Sequence, residues 1–313
     1  MTSLYTSNRS YYNGDSGVSY IAVAQNGSVY AFGGNDGDRL GMREKPSDFI
    51  VTNYKQPQKS RISNVKEASC AEKSCLWLKK DGTVTETTTD FYEKAITIPN
   101  NEKIVDVEFS PPAKFALSET GKLFVWGDGS TYLKDYYMLG MGNVQRIDSP
   151  TEMTMLGSVA RISVDLNTVT VLTQKGELYG WGMFVPIIGG TPMNPKPTIY
   201  SPSLIPTPNG EKVVEVFGAG EMIRLQSGLF YGTGHFVKTC YLETQDSSLK
   251  EDSWMLLNSL SSPNKFVGGV ESGIYKDPSN NLHLVGWKSE LPSNTPDSEY
   301  RKAITLPKIN TSW

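Results

Sequence analysis

Apolar and polar residues alternate along short stretches of the chain, and nearly every stretch runs into a small turn. "YIAVAQNG", "CLWLKKDG", "KFALSETG", "VTVLTQKG" and "MIRLQSG" each alternate and then end on a polar residue followed by glycine. A second apolar stretch follows the turn, as in "GSVYAFGGN", "GKLFVWGDG" and "GELYGWGMF". Period-two alternation on both sides of a glycine turn predicts a β-hairpin, because glycine accepts the positive φ that matches strand twist. The turn residues are Gly27, Gly82, Gly121, Gly176, Gly228 and, degenerately, Asn280, at intervals of 55, 39, 55, 52 and 52 residues. Six positions after the turn a glycine recurs at Gly33, Gly127, Gly182, Gly234 and Gly286, with Thr88 in the second copy. A fixed period of this size is the mark of a repeat architecture.

Upstream of each hairpin lies a third alternating run, such as "NVKEASC", "KIVDVEFS", "SVARISVD" and "KVVEVFGAG". Before that comes a proline-marked segment, as in "KAITIPN", "SPTEMTM" and "SPSLIPTPN", where an edge strand can spare an N–H. Four strands repeated with this period predict an all-β fold, a single β-propeller of four-stranded blades. Six turns favour six blades, with seven as the alternative. The first copy lacks a proline-marked outer strand, while "YRKAITLPKIN" at the C-terminus resembles "YEKAITIPNNE" from Tyr92. The C-terminal strand is therefore expected to pair with the N-terminal blade and close the ring. The expected organisation is one domain, 1–313, with loop insertions at about 183–200 and 237–265.

The details of the repeat narrow the type. No Gly-His and Trp-Asp pair recurs, and of the Gly-Gly pairs Gly33–Gly34 is in register but Gly189–Gly190 and Gly268–Gly269 are not, which argues against WD and kelch blades. "FALSETGKLFVWGDG" from Phe115, "IAVAQNGSVYAFGGNDGDRLG" through Leu40–Gly41, and Leu139–Gly140 in "YYMLGMG" together resemble the regulator of chromosome condensation repeat. The resemblance runs over essentially the whole chain, strong in copies one, three and four. Where that family commonly has a histidine early in the strand, this chain has Ser19, Ser74, Ala113 and Thr168. Seven blades are usual there, so the chain looks like a distant member. The resemblance implies two activities, nucleotide exchange on a small GTPase and docking on an acidic chromatin surface. Neither motif can be placed residue by residue.

Composition changes the picture only at the margins. With 38% hydrophobic residues among 313, a sizeable core is expected; 29 glycines and 18 prolines suit many tight turns. A net charge of −3 argues against a nucleic-acid partner. Cys70, Cys75 and Cys240 sit in no CxxC, so reduced thiols are expected, with a disulfide or metal pair as the alternative. No basic-then-apolar leader and no apolar run near the ~20 residues of a membrane helix is visible. The chain is thus expected to be soluble, intracellular or part of an assembly made in the cytoplasm, without a membrane. The two histidines, His235 and His283, have no nucleophile at a recognisable spacing, and no ligand cluster is present. No enzyme activity, cofactor or metal is expected.

Candidate binding residues lie in the loops. Arg43, Lys45, Lys59 and Arg61 belong to the most basic window, which reads as a solvated loop face or as a contact for an anionic partner. Tyr136, Tyr137, Met138, Phe184, Ile187, Trp254 and Leu257 are of the types enriched at interface cores. "DSSLKEDSWMLLNSL" from Asp246 carries helix start signals and predicts a short amphipathic helix. These side chains either cap the propeller's own ends or dock a partner. The function this favours is a non-enzymatic protein–protein interaction platform, its partner another protein. Nucleotide exchange by family analogy is the alternative, and a structural part of a larger assembly such as a virus particle is the third.

Overall fold

The computed structural model describes residues 3–6, 19–35, 38–42, 53–71, 74–88, 91–128, 138–165, 168–189, 196–233, 252–257, 265–268, 272–276, 282–286 and 304–305. Among them are six four-stranded sheets, each made of four consecutive strands. The first holds β1 (Ser3–Thr6), β2 (Ser19–Val23), β3 (Val29–Gly34) and β4 (Asn53–Lys59). The second holds β5 (Val65–Ala71), β6 (Ser74–Lys79), β7 (Val84–Thr88) and β8 (Phe91–Ile96). The third holds β9 (Ile104–Ser110), β10 (Ala113–Ser118), β11 (Leu123–Asp128) and β12 (Arg146–Glu152). The fourth holds β13 (Val159–Asp165), β14 (Thr168–Thr173), β15 (Leu178–Gly182) and β16 (Ile199–Leu204). The fifth holds β17 (Val213–Phe217), β18 (Met222–Leu225), β19 (Phe230–Thr233) and β20 (Trp254–Leu256). The sixth holds β21 (Lys265–Gly268), β22 (Ser272–Lys276), β23 (Leu282–Gly286) and β24 (Ile304–Thr305). The chain divides into two compact units, 1–167 and 168–313.

The turn glycines explain why the hairpins form where they do. Gly27, Gly82, Gly121, Gly176 and Gly228 all hold φ between 83° and 88°, a region closed to most side chains. The same glycines carry a second duty. In the first unit, the carbonyls of Gly27, Gly82 and Gly121 accept from the amides of Val65, Ile104 and Val159 at 3.0, 3.0 and 2.8 Å. In the second, Gly176 accepts from Val213 at 2.9 Å. Each of these four hairpin tips thus caps the start of the next inner strand, which fixes how one sheet follows another.

In the first unit the sheets stack face to face. Ile21, Val23, Val29 and Ala31 of the first sheet form one core with Val65, Ala68, Cys75 and Trp77 of the second. The other face of the second sheet, through Leu76, Leu78 and Val84, forms a core with Ile104, Val107, Ala116 and Phe124 of the third. All six residues of β6 are buried in consequence, since neighbours covering both faces remove the usual polar side. In the second unit, Leu172, Leu178 and Ile205 pack with Val213, Val216, Ile223 and Leu225. All six residues of β14 are likewise buried.

Several expectations need correction. Among the described residues the C-terminal strand pairs within its own sheet and not with the N-terminal blade: β24 pairs with β23, Ile304 opposite Leu284 and Thr305 opposite His283. The likeness to the Tyr92 segment was sound, because β8 and β24 hold the same outer place in their sheets. The proline-marked strand ends a blade and does not begin the next. The first blade already has one, β4, which carries Pro57. Cys70 and Cys75 are joined as a disulfide; they face each other across β5 and β6 with Cα atoms 4.1 Å apart. Trp254–Leu256 is a strand paired with β19, not part of a helix. The rest of that predicted helix, Cys240 and His235 lie outside the described residues.

Candidate functional site

In the second unit, three segments converge where the loop expectations pointed. The loop after β15 runs through Phe184, Val185 and Ile187 and closes on itself, the Gly189 amide donating to the Val185 carbonyl at 2.7 Å. A Cβ at Gly189 would meet the Val185 amide nitrogen at 2.4 Å, so the turn requires glycine. Ile187 holds φ 69°, which a β-branched residue adopts only under strain; its half-buried side chain packs on the Leu172–Val213 core. Trp254 packs on the same core and donates its indole N–H to the Pro206 carbonyl at 2.7 Å. Lys196 Nζ and Asp252 lie 3.2 Å apart at the margin.

Around this anchor the outer strands present apolar side chains to solvent. Leu204 of β16 is 57% exposed, Tyr200 42%, and Leu256 of β20 41%. Strand pairing places Leu204 opposite Tyr179 and Leu256 opposite Tyr231. The chemistry available is contact, with no nucleophile or base among these side chains. Tyr200, Leu204 and Leu256 were missed in the sequence because outer-strand residues of a blade read like any other alternating position.

The remaining expected residues separate clearly. Met138 is fully buried and Leu257 nearly so, its amide donating to the Phe230 carbonyl at 2.9 Å, which corrects both as partner contacts. Met138 leads into the Leu139–Gly140 turn, itself buried, so its side chain serves the fold. Phe184 is half-buried. Tyr136 and Tyr137 lie outside the described residues, as do Arg43 and Lys45. Lys59 is exposed at the end of β4, and Arg61 lies 3.7 Å from Asp38. Asp38 and Asn35 bind their own loop: Asn35 accepts from the Leu40 amide and Asp38 from the Met42 amide, each at 2.9 Å. Buried Arg39 donates to Ser19 at 2.8 Å, and Thr87 of the second sheet donates to the Arg39 carbonyl. Asn35 and residues 38–41 therefore form a clasp between the first two sheets.

A second cluster, in the first unit, has no counterpart in the sequence expectations. Glu67 and Ser69 on β5 face Asp106 and Glu108 on the neighbouring inner strand β9. Glu67 accepts from the Val107 amide at 3.4 Å, and Ser69 accepts from the Phe109 amide at 2.9 Å. Ser69 Oγ lies 3.5 Å from a Glu108 oxygen, and Lys66 donates to the Val105 carbonyl at 3.0 Å. Burial, then the charge of and a hydrogen bond with Asp106, push the Glu67 carboxyl up to about 9. Burial, then Asp106, raises the Glu108 carboxyl well above its ordinary range, against the opposing pull of Arg161 and Ser69.

No family model matches the sequence. Solved structures do match in fold. Prp20p of Saccharomyces cerevisiae superposes with a TM-score of 0.70 at 15% identity, over 94% of this chain and 76% of that one. The fold is the regulator-of-chromosome-condensation propeller. Human WBSCR16 superposes at 0.68 with 14% identity, over 91% and 77% of the two chains. Yeast RCC1 (Prp20) bound to Kap60 gives 0.65 at 16%, over 86% and 68%. At such identities the likeness is one of fold, and the sites must be argued from this chain's own residues.

Proposed function

We propose that the chain is a non-enzymatic protein-binding platform whose contact surface is the outer rim of the fourth and fifth sheets. The observation that carries this is the exposure of Leu204, Tyr200 and Leu256 beside an aromatic, Trp254, whose indole is fixed by the Pro206 carbonyl. Aromatic anchors held rigid within an apolar patch are the usual source of binding energy at protein interfaces. Phe184 and Ile187 extend the surface on a loop that is strained yet anchored. The fold supports the proposal, since the solved structures it resembles include Prp20p, described with its binding to Gsp1p and histones, and a complex with Kap60.

Affinity capture from the native source tests it. Leu204→Asp/Leu256→Asp should lose the partner retained by the parent chain while keeping the parent melting temperature. Retention of the same partner by the folded double variant would place the contact elsewhere. Nucleotide exchange on a small GTPase is the second reading, favoured by the fold likeness to Prp20p. Acceleration of guanine-nucleotide release from the captured partner would select it; unchanged release with binding intact selects the platform.

A further inference from the structure

The three carboxyls between β5 and β9 are not explained by partner binding, and their placement costs the fold something. Inner strands of successive sheets meet here, so Glu67, Asp106 and Glu108 share one narrow seam between the second and third sheets. Cations are few. Arg161 on β13 acts on Glu108, and Lys66 on β5 is engaged by the Val105 carbonyl. Lys114 on β10 is paired with Glu86 at 2.6 Å, and Lys79 on β6 with Glu93. β1 and β2, which flank β5 on its other side, carry no acid or base beyond the phenols of Tyr5 and Tyr20. Neighbouring carboxylates in one seam cannot all ionise without mutual repulsion.

We propose that Glu67, Asp106 and Glu108 form a proton-loaded seam that holds the second and third sheets together at acidic and neutral pH and loosens them in alkali. The Glu67 carboxyl keeps its proton and shares it with Asp106, while its other role is to accept the Val107 amide. When solvent base removes that proton, the Glu67 carboxylate stands beside the carboxyl groups of Asp106 and Glu108. Separation of β5 from β9 relieves the repulsion and admits water. A carboxyl raised in the folded state contributes stability fully below its unfolded range and loses it as pH rises through the folded value. For Glu67 that window runs upward from the ordinary carboxylate range to about 9.

Thermal unfolding of the full chain at about pH 6 and about pH 9 tests the seam. The parent should lose at least about 3 °C in melting temperature between the two, whereas Glu67→Gln should lose less than half as much. Glutamine keeps the acceptor for Val107 and supplies a donor toward Asp106, so the variant imitates the protonated state. Glu108→Gln should also reduce the loss. Equal losses in parent and folded variants overturn the proposal. Infrared difference spectra of the parent protein, which need no variant, provide the second measurement. A protonated-carboxyl carbonyl band that disappears between about pH 7 and about pH 10 is expected, and its absence also overturns the proposal.

Discussion

Leu76 and Trp77 are consecutive in β6, and in an ordinary one-sided sheet only one of two such neighbours would matter. Here both are fully buried, Trp77 in the core shared with the first sheet and Leu76 in the core shared with the third. Leu76→Ala should therefore cost roughly 2–5 kcal/mol, the range for a cavity in a core that relaxes only partly. Trp77→Ala should cost about 3–5 kcal/mol for the lost side chain and roughly 1 more for its hydrogen bond to Thr87, 2.9 Å long. Either value is a large part of the ~5–15 kcal/mol that keeps a domain folded, so the double variant should not fold. Urea unfolding of the two single variants measures the difference as a shift in midpoint at unchanged slope. If either substitution cost less than about 0.5 kcal/mol, as exposed positions do, that face of the second sheet would be uncovered and the stacking refuted.

Other outcomes follow from single contacts. Gly127→Ala would bring a Cβ within 2.0 Å of the Pro112 carbonyl oxygen at φ 143°, so it should destabilise by more than about 2 kcal/mol in the same assay. Replacing Cys70 and Cys75 together by alanine should cost about 2 kcal/mol from the small loop their bond closes, read as a lower urea midpoint than the oxidised parent. Lys114→Met strands the buried Glu86 carboxylate, which also accepts from Ser74; a loss of about 3 kcal/mol is expected, largely recovered in Lys114→Met/Glu86→Leu. The Glu102 carboxyl is held below its ordinary range by Lys122 and Thr120. Its contribution is present above the unfolded value and lost as pH falls through the folded one, so Glu102→Gln should flatten the acid side of the stability profile.

The hairpin glycines were legible because positive φ leaves few other residues, and the repeat interval followed from them. The phase of the repeat was not legible. A proline-marked strand such as β8 or β24 is equally compatible with ending one blade or opening the next, and only hydrogen-bond register decides. Trp254 and Leu257 share the three-residue spacing of a helix face, which concealed a three-residue outer strand. Cys70 and Cys75 are close in sequence, yet their pairing depends on β5 and β6 bringing them directly opposite. The carboxyl seam was hidden for a related reason. "VKEASC" and "IVDVEF" read as alternating strands with a polar, solvent side, whereas the inner strand of a following sheet covers that side. Of the proposed binding surface, Trp254, Phe184 and Ile187 were visible as aromatic or apolar residues in long connections. Tyr200, Leu204 and Leu256 required the outer strands to be placed first.

The platform proposal is tested most directly by position-specific photo-crosslinking in the native source. A photoreactive residue at Leu204 or at Leu256, both exposed on outer strands of the second unit, should capture one and the same protein. The same probe at Val144, equally exposed at 43% but in the first unit, should not. Capture of that protein from Val144 and from neither Leu204 nor Leu256 would contradict the account.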